Sequence, residues 1–289
     1  MITPWLLVVM FVSLFVGTLA PAADTPDQKP KADYVVLVHG MSRSHLSMIP
    51  MGAQLQWAGY TVRNVRYASH KGTVEELSQE LAEVVRTSCP DRSRNVHFVT
   101  HSLGGILVRA YLNTEPDIQV GRVVMLGPPN QGSEIVDSLR QLAPYRWFTG
   151  PVGSQLGTGP DSVPLQLGPV TAETGVIAGT RILNPLLSQP LGGESDGKVT
   201  VERTKVDGMA DHISIHASHT WMMNKPEVVR QTKHFLAHGR FSHQRDRHPE
   251  SDQTLAQTDH PRGEHEPASA VNAETRALSN PVLISDATL

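Results

Sequence analysis

The sequence is short of cysteine, of aromatic residues and of net charge, and each shortage closes off a class of function. A single cysteine, Cys89, rules out an intrachain disulfide and any cysteine-rich zinc or iron–sulfur centre. Acids number 28 against 25 Lys and Arg, so the net charge is −3 with histidine neutral. Nothing there resembles the concentrated basic surface that phosphate backbones require, and no nucleic-acid partner is expected. Aromatic residues make up 5% of the 289 positions, and none follows Phe241. The composition is neither collagen-like nor disordered throughout, and the length suits one large domain or two small ones.

The two ends differ from the middle. Trp5 to Ala20 carries no charge, and Ala20-Pro21-Ala22 follows as an A-x-A-like cleavage site. Residues 1–22 therefore read as a secretory signal peptide, which places the protein in a secreted or periplasmic location. The usual basic flank is missing, since the first lysine is Lys29. An uncleaved leader would instead anchor the chain, because about 20 apolar residues span a bilayer. Residues 23–33 read as a linker. Residues 242–289 mix charge, Pro, Gln and His without aromatics, and such a stretch buries too little apolar surface to offset its ordering entropy. It is expected to be a mostly disordered tail, leaving one domain over residues 34–241.

Within that domain, short apolar runs alternate with amphipathic segments. Tyr34–Val38, Thr61–Tyr67, Val96–Val99, Val123–Leu126, Val176–Ala178 and Ile213–Ile215 read as strands. Thr73 with Glu76 forms a capping box before a helix lined by Val74, Leu77, Leu81, Val84 and Val85. Ile106–Asn113 is a second helix, and Pro226 opens a last one through His238. The alternation predicts an α/β fold, a mostly parallel sheet flanked by helices, with its active site at the carboxyl ends of the strands.

At those ends stand His39-Gly40, Ser102, Gly127-Pro128-Pro129, the segment around Asp196, and His219. Thr100-His101-Ser102-Leu103-Gly104 runs from strand through sharp turn into helix, the G-x-S-x-G pattern with threonine first. Such a turn lifts the serine above the sheet and aims the following N–H at a developing oxyanion. On these residues the core resembles the α/β-hydrolases, and most of all bacterial lipases and esterases with a T-H-S-L-G-G elbow. Val38-His39-Gly40-Met41 resembles the lipase H-G loop, and Gly127 to Ser133 the segment after the next strand. Ser195-Asp196-Gly197-Lys198-Val199 and Ser218-His219-Thr220 resemble the acid and base segments. Thr100 is the departure, and it looks like a variant within the family.

The resemblance implies a nucleophile, acid and base in the order Ser102, Asp196, His219, with oxyanion N–H groups from Met41 and Leu103. His39, Gly40, His101 and Gly104 support the two motifs. A free hydroxyl needs the base, and the base needs the acid to hold its tautomer. The acid has rivals in Asp211, Asp207, Glu194 and Glu173. A zinc site would have to use His212, His216 and His219, but a strand puts the first two on one face and the third on the other. Some bacterial lipases bind calcium through an Asp two residues after the base; here that residue is Trp221. No metal or cofactor is expected. The expected activity is hydrolysis of carboxylic esters, acyl lipids above all, with contact at a membrane surface compatible with it. Acyl transfer by the same triad, or binding on an inactive hydrolase fold, are the alternatives. Residues 139–174 sit where such enzymes carry a lid, and Tyr145, Trp147 and Phe148 either face an acyl chain or pack the loop onto the core. The oligomeric state is not readable.

Overall fold

A computed structural model describes residues 32–243 apart from positions 187 and 190. The apolar leader and residues 244–289 of the expected tail lie outside the described residues. Strand β1 (Tyr34–Val38) is buried along its whole length. Val36 and Val38 join one apolar cluster with Leu77, Leu81 and Ile106; Val35 and Leu37 join another with Met51, Leu55 and Phe235. An uninterrupted apolar run is therefore what this strand requires, since helices cover both faces of its sheet. Each such side chain contributes roughly 1.5–3 kcal/mol through burial.

Helix α1 (Ile49–Trp57) leads to strand β2 (Thr61–Asn64), and α2 (Val74–Ser88) to β3 (Asn95–His101). Helix α3 (Leu103–Leu112) follows, then β4 (Gln119–Leu126). Three helices, α4 (Glu134–Leu139), α5 (Ala143–Ser154) and α6 (Val163–Gln166), fill the insertion before β5 (Thr174–Gly179). The chain ends with α7 (Val201–Thr204), β6 (Asp211–Ile215) and α8 (Pro226–His238). All six strands are parallel, in the order β2-β1-β3-β4-β5-β6. Residues of α2 and α3 pack on one face, residues of α1 and α8 on the other. The fold class matches the sequence expectation.

Two of the departures in element bounds have a local physical cause. The second strand stops at Asn64 rather than Tyr67, although the Val65 N–H still reaches the Leu37 carbonyl at 3.0 Å. Its only neighbour, β1, ends at Val38, so beyond that point no ladder partner remains. Gly59 reads in the sequence as a helix stop before the second strand, and α1 ends just ahead of it at Trp57, but its start could not be placed because Pro50 and Gly52 lie in its first turn and blur the apolar stripe. Proline is tolerated there, where its missing N–H would have no partner. Gly52 faces Leu37: a Cβ on it would stand 3.1 Å from the leucine Cδ1. At the expected linker's end, Asp33 already accepts hydrogen bonds from Asn95, and Ser242 is bonded through both N–H and C=O to the Gln231 side chain.

Candidate active site

Ser102 occupies the junction between β3 and α3 with φ 52° and ψ −122°, a conformation L-residues rarely adopt. The backbone around it offsets the strain. The Ser102 N–H donates to the Leu126 carbonyl at 2.9 Å, and the Gly105 N–H to the Ser102 carbonyl at 2.9 Å. The turn is also tight against β1, since a Cβ at Gly104 would stand 2.4 Å from the Val38 carbonyl oxygen. Thr100 fits in the first motif position because the residue facing it is Gly105, whose added Cβ would lie 3.3 Å from the threonine Oγ1.

His219 follows β6 and is buried. Its Nε2 lies 3.0 Å from Ser102 Oγ, and its Nδ1 lies 2.7 Å from Asp196 Oδ2. Because the carboxylate can only accept, the ring proton sits on Nδ1, and Nε2 is free to take the serine proton. Asp196, also buried, is held by its own loop. Its Oδ1 accepts the N–H groups of Lys198 and Val199, both at 2.9 Å, and its carbonyl accepts the His219 N–H at 3.0 Å. Gly127 closes the pair from beneath at φ 54°. A Cβ there would stand 2.9 Å from Asp196 Oδ2 and 3.2 Å from His219 Nδ1.

The remaining motif residues frame this chain of contacts. Met41 lines the cavity beside Ser102, and Leu103 opens α3, where an N–H has no intrahelical acceptor. Neither N–H donates to another group among the described residues. His39 donates from Nδ1 to the Gly40 carbonyl at 2.9 Å and stacks on Tyr67, whose hydroxyl donates to the His39 carbonyl at 2.5 Å. His101 donates from Nε2 to the His219 carbonyl at 2.9 Å and so ties the His219 backbone to the elbow, a contact with no local signature in the sequence. Burial, and the neighbouring His219 after it, holds the His101 ring well below its ordinary pKa. A Cβ at Gly40 would stand 2.8 Å from His101 Nδ1, which explains the glycine.

The rival acids lie elsewhere. Asp211 begins β6 and accepts from the N–H groups of His212 and Phe241. The Asp207 carbonyl accepts the Val170 N–H, Glu173 pairs with Arg122 at 2.7 Å, and Glu194 is exposed. The histidines of the zinc reading do not converge, for His212 bonds Thr204 and His216 is exposed.

Above Ser102 opens a cavity of about 410 Å³, walled mainly by apolar side chains including Ile135, Val136, Leu139 and Leu156. Of the three insertion aromatics, Tyr145 and Phe148 line it, whereas Trp147 is 86% exposed and does not. A larger hollow of about 830 Å³, lined by Asp33, His97, Arg122 and Glu173, lies at the amino end of the sheet and contains neither serine nor cysteine.

Residues 34–156 match the palmitoyl protein thioesterase family. The match runs from β1 through α5 and includes the H-G loop and the elbow, but ends before Asp196 and His219. No curated protein matches the chain. Among solved structures, the mature Bacillus licheniformis lipase BlEst2 is similar at 20% identity and a TM-score of 0.57, over 68% of this chain and 88% of that one. Phospholipase PlaB from Legionella pneumophila is similar at 22% identity and a TM-score of 0.51, over 60% of this chain and 46% of its own. The metagenomic carboxyl esterase MGS0156 follows at 18% identity and a TM-score of 0.50, over 66% and 65%. With the parallel sheet and the elbow between β3 and α3, these likenesses identify the architecture as the α/β-hydrolase fold.

Proposed function

We propose that the protein is a serine hydrolase of carboxylic esters, acting on acyl lipids. One observation carries the reading: Ser102 Oγ, His219 and Asp196 form a continuous hydrogen-bonded chain at 3.0 and 2.7 Å, beneath an apolar cavity of about 410 Å³. His219 Nε2 takes the Ser102 proton as Oγ attacks the ester carbonyl, and the Asp196 carboxylate stabilises the imidazolium that results. The N–H groups of Met41 and Leu103 hold the carbonyl oxygen as it gains charge. His219 then protonates the leaving alcohol as the tetrahedral intermediate collapses to an acyl-Ser102. Water, deprotonated by the same nitrogen, releases the acid and restores the serine.

A thioester is the second reading, favoured by the match of residues 34–156 to the thioesterase family. The chemistry is the same with a thiolate as leaving group. The uncharged leader supports a secreted or periplasmic address, and the half-exposed Phe148 and Leu183 at the cavity mouth support contact with a lipid aggregate. Labelling with a fluorophosphonate tests the nucleophile. The parent should be labelled and Ser102→Ala should not, with ester turnover falling by several orders of magnitude. A Ser102→Ala protein within about tenfold of the parent would refute the assignment.

A further inference from the structure

The apolar cavity over Ser102 has two cationic side chains in its wall, Arg43 and Lys198. Each sits two residues beyond a group of the proposed machinery, Arg43 after Met41 and Lys198 after Asp196. Their backbones are fixed. The Arg43 N–H donates to the Gly40 carbonyl, and the Lys198 carbonyl accepts the Ser133 hydroxyl at 2.8 Å while its N–H serves Asp196. The guanidinium donates to the Thr220 carbonyl at 2.9 Å and lies 5.7 Å from the Trp221 ring centroid. Neither cation has a carboxylate salt-bridge partner among the described residues. Asp196, the one acid in the cavity wall among the described residues, is occupied by His219 and two backbone N–H groups.

The two cations also act on each other. Desolvation where Lys198 meets the cavity wall is the first cause lowering its pKa, and Arg43 is the second, with Asp196 opposing both. Lys198 remains open to solvent at the mouth, so that desolvation is partial. Two like charges held near one another without a counter-ion disfavour the empty site, and an anion between them removes that cost.

Arg43 belongs to two hollows. With Ser42 and Thr220 it separates the apolar cavity from a surface groove of about 610 Å³ lined by Ser44, Ser47, Trp221 and Asn224. Arg43 is the one cation lining that groove among the described residues, whereas both Arg43 and Lys198 line the apolar cavity beside Ser102. Resting on the hydrolase reading above, we infer that the substrate is an acyl ester whose leaving group carries an anionic phosphate, its acyl chain along the apolar part of the cavity and its phosphate held by Arg43 and Lys198 in the cavity wall. A neutral glycerol leaving group would leave both cations without an anionic partner.

The test compares three substrates with the same acyl chain in neutral-detergent micelles: 1-acylglycerol, its 3-phosphate, and its 3-phosphocholine. For the purified full chain, kcat/KM should favour the 3-phosphate over the acylglycerol by at least about tenfold, or about 1.4 kcal/mol. The phosphocholine should lie between them, and 0.5 M NaCl should shrink the preference because screening shortens the reach of both cations. Arg43→Gln with Lys198→Gln should bring the ratio near one, Lys198→Glu should reverse it, and Arg43→Lys with Lys198→Arg should retain it. Because Arg43 also braces the Thr220 carbonyl, the Lys198 variants separate charge from loop position. A parent that cleaves all three esters without preference, or a preference unchanged in Lys198→Glu, overturns the inference while leaving the hydrolase reading standing. Failure to cleave any ester or to react with a fluorophosphonate overturns both.

Discussion

Replacing Asp196 by asparagine tests the site at its most constrained contact. Oδ1 accepts two backbone N–H groups at 2.9 Å while Oδ2 faces His219 Nδ1 at 2.7 Å. An asparagine that keeps its oxygen on the two N–H groups must present its NH₂ to the ring. Nδ1 then has to accept, the ring proton moves to Nε2, and the nitrogen 3.0 Å from Ser102 Oγ can no longer take a proton. The opposite orientation sets the NH₂ against the buried Val199 and part-buried Lys198 N–H groups and leaves both without a protein acceptor, at roughly 1–3 kcal/mol each. Escape from the wrong tautomer therefore costs about 2–6 kcal/mol in total. That range brackets the loss of about 10⁴-fold in kcat known for this change in a serine-protease triad, equivalent to about 5.4 kcal/mol. Asp211→Asn is the control. Its carboxylate serves the N–H groups of His212 and Phe241 at the far end of β6, so it should lower stability and leave chemistry near parental. The assay is kcat/KM on a 4-nitrophenyl ester for both variants, with circular dichroism to confirm folding. An Asp196→Asn enzyme within about tenfold of the parent, or an Asp211→Asn enzyme equally crippled while folded, refutes the reasoning.

Three further outcomes are expected. His39, His97 and His101 are buried, and loss of solvation before any other cause holds each below its ordinary pKa. Unfolded, the same rings bind protons below about pH 6.5, so the unfolded state gains more protons as the solution is acidified. Stability should therefore fall between about pH 7 and 5, by up to about 1.4 kcal/mol per pH unit for each ring; thermal melts across that range check it, and a constant Tm contradicts it. Arg109, buried beneath the insertion, donates to Asn130 Oδ1 and to the carbonyls of Asn130, Pro164 and Gly168. Arg109→Leu should cost at least about 3 kcal/mol, lowering Tm by about 6–12 °C for a domain of this size, and an unchanged melt would show that this network does not hold the cap. Activity should survive EDTA, since His212 and His219 are committed to Thr204 and to the triad; a loss restored specifically by zinc or calcium would count against the mechanism.

What could be read from the sequence were features set by neighbouring residues. The Thr73–Glu76 capping box forms with both reciprocal bonds, at 3.2 and 2.9 Å, because its partners lie three positions apart. The last helix begins at Pro226 and ends at His238, as proline and the following glycine at φ 71° dictate. The elbow was legible for the same reason, since Ser102 needs small residues within two positions. The choice of Asp196 came from the resemblance of its segment, and strand polarity argues against Asp211: a residue preceding a parallel strand stands at its amino end, several residues' rise from His219, which follows the same strand.

What could not be read depends on which loops the sheet order makes neighbours. Strand ends can be predicted to share one edge of the sheet, yet His101 meets the His219 carbonyl across 118 residues, and Arg43 meets that of Thr220 across 177. Neither contact leaves a local pattern, because each joins a loop near the centre of the sheet to the loop after its edge strand β6. The start of helix α1 was hidden on similar grounds, since Gly52 is explained only by Leu37 beneath it. The consequence reaches the chemistry. The proposed catalytic groups are recognisable because each sits in a turn with its own sequence demands, whereas the groups proposed to choose the substrate are surface side chains whose neighbours come from other loops. Arg43 and Lys198 illustrate this: in sequence each is an unremarkable charge beside a motif, and only a shared cavity wall without a counter-ion gives the pair a chemical meaning.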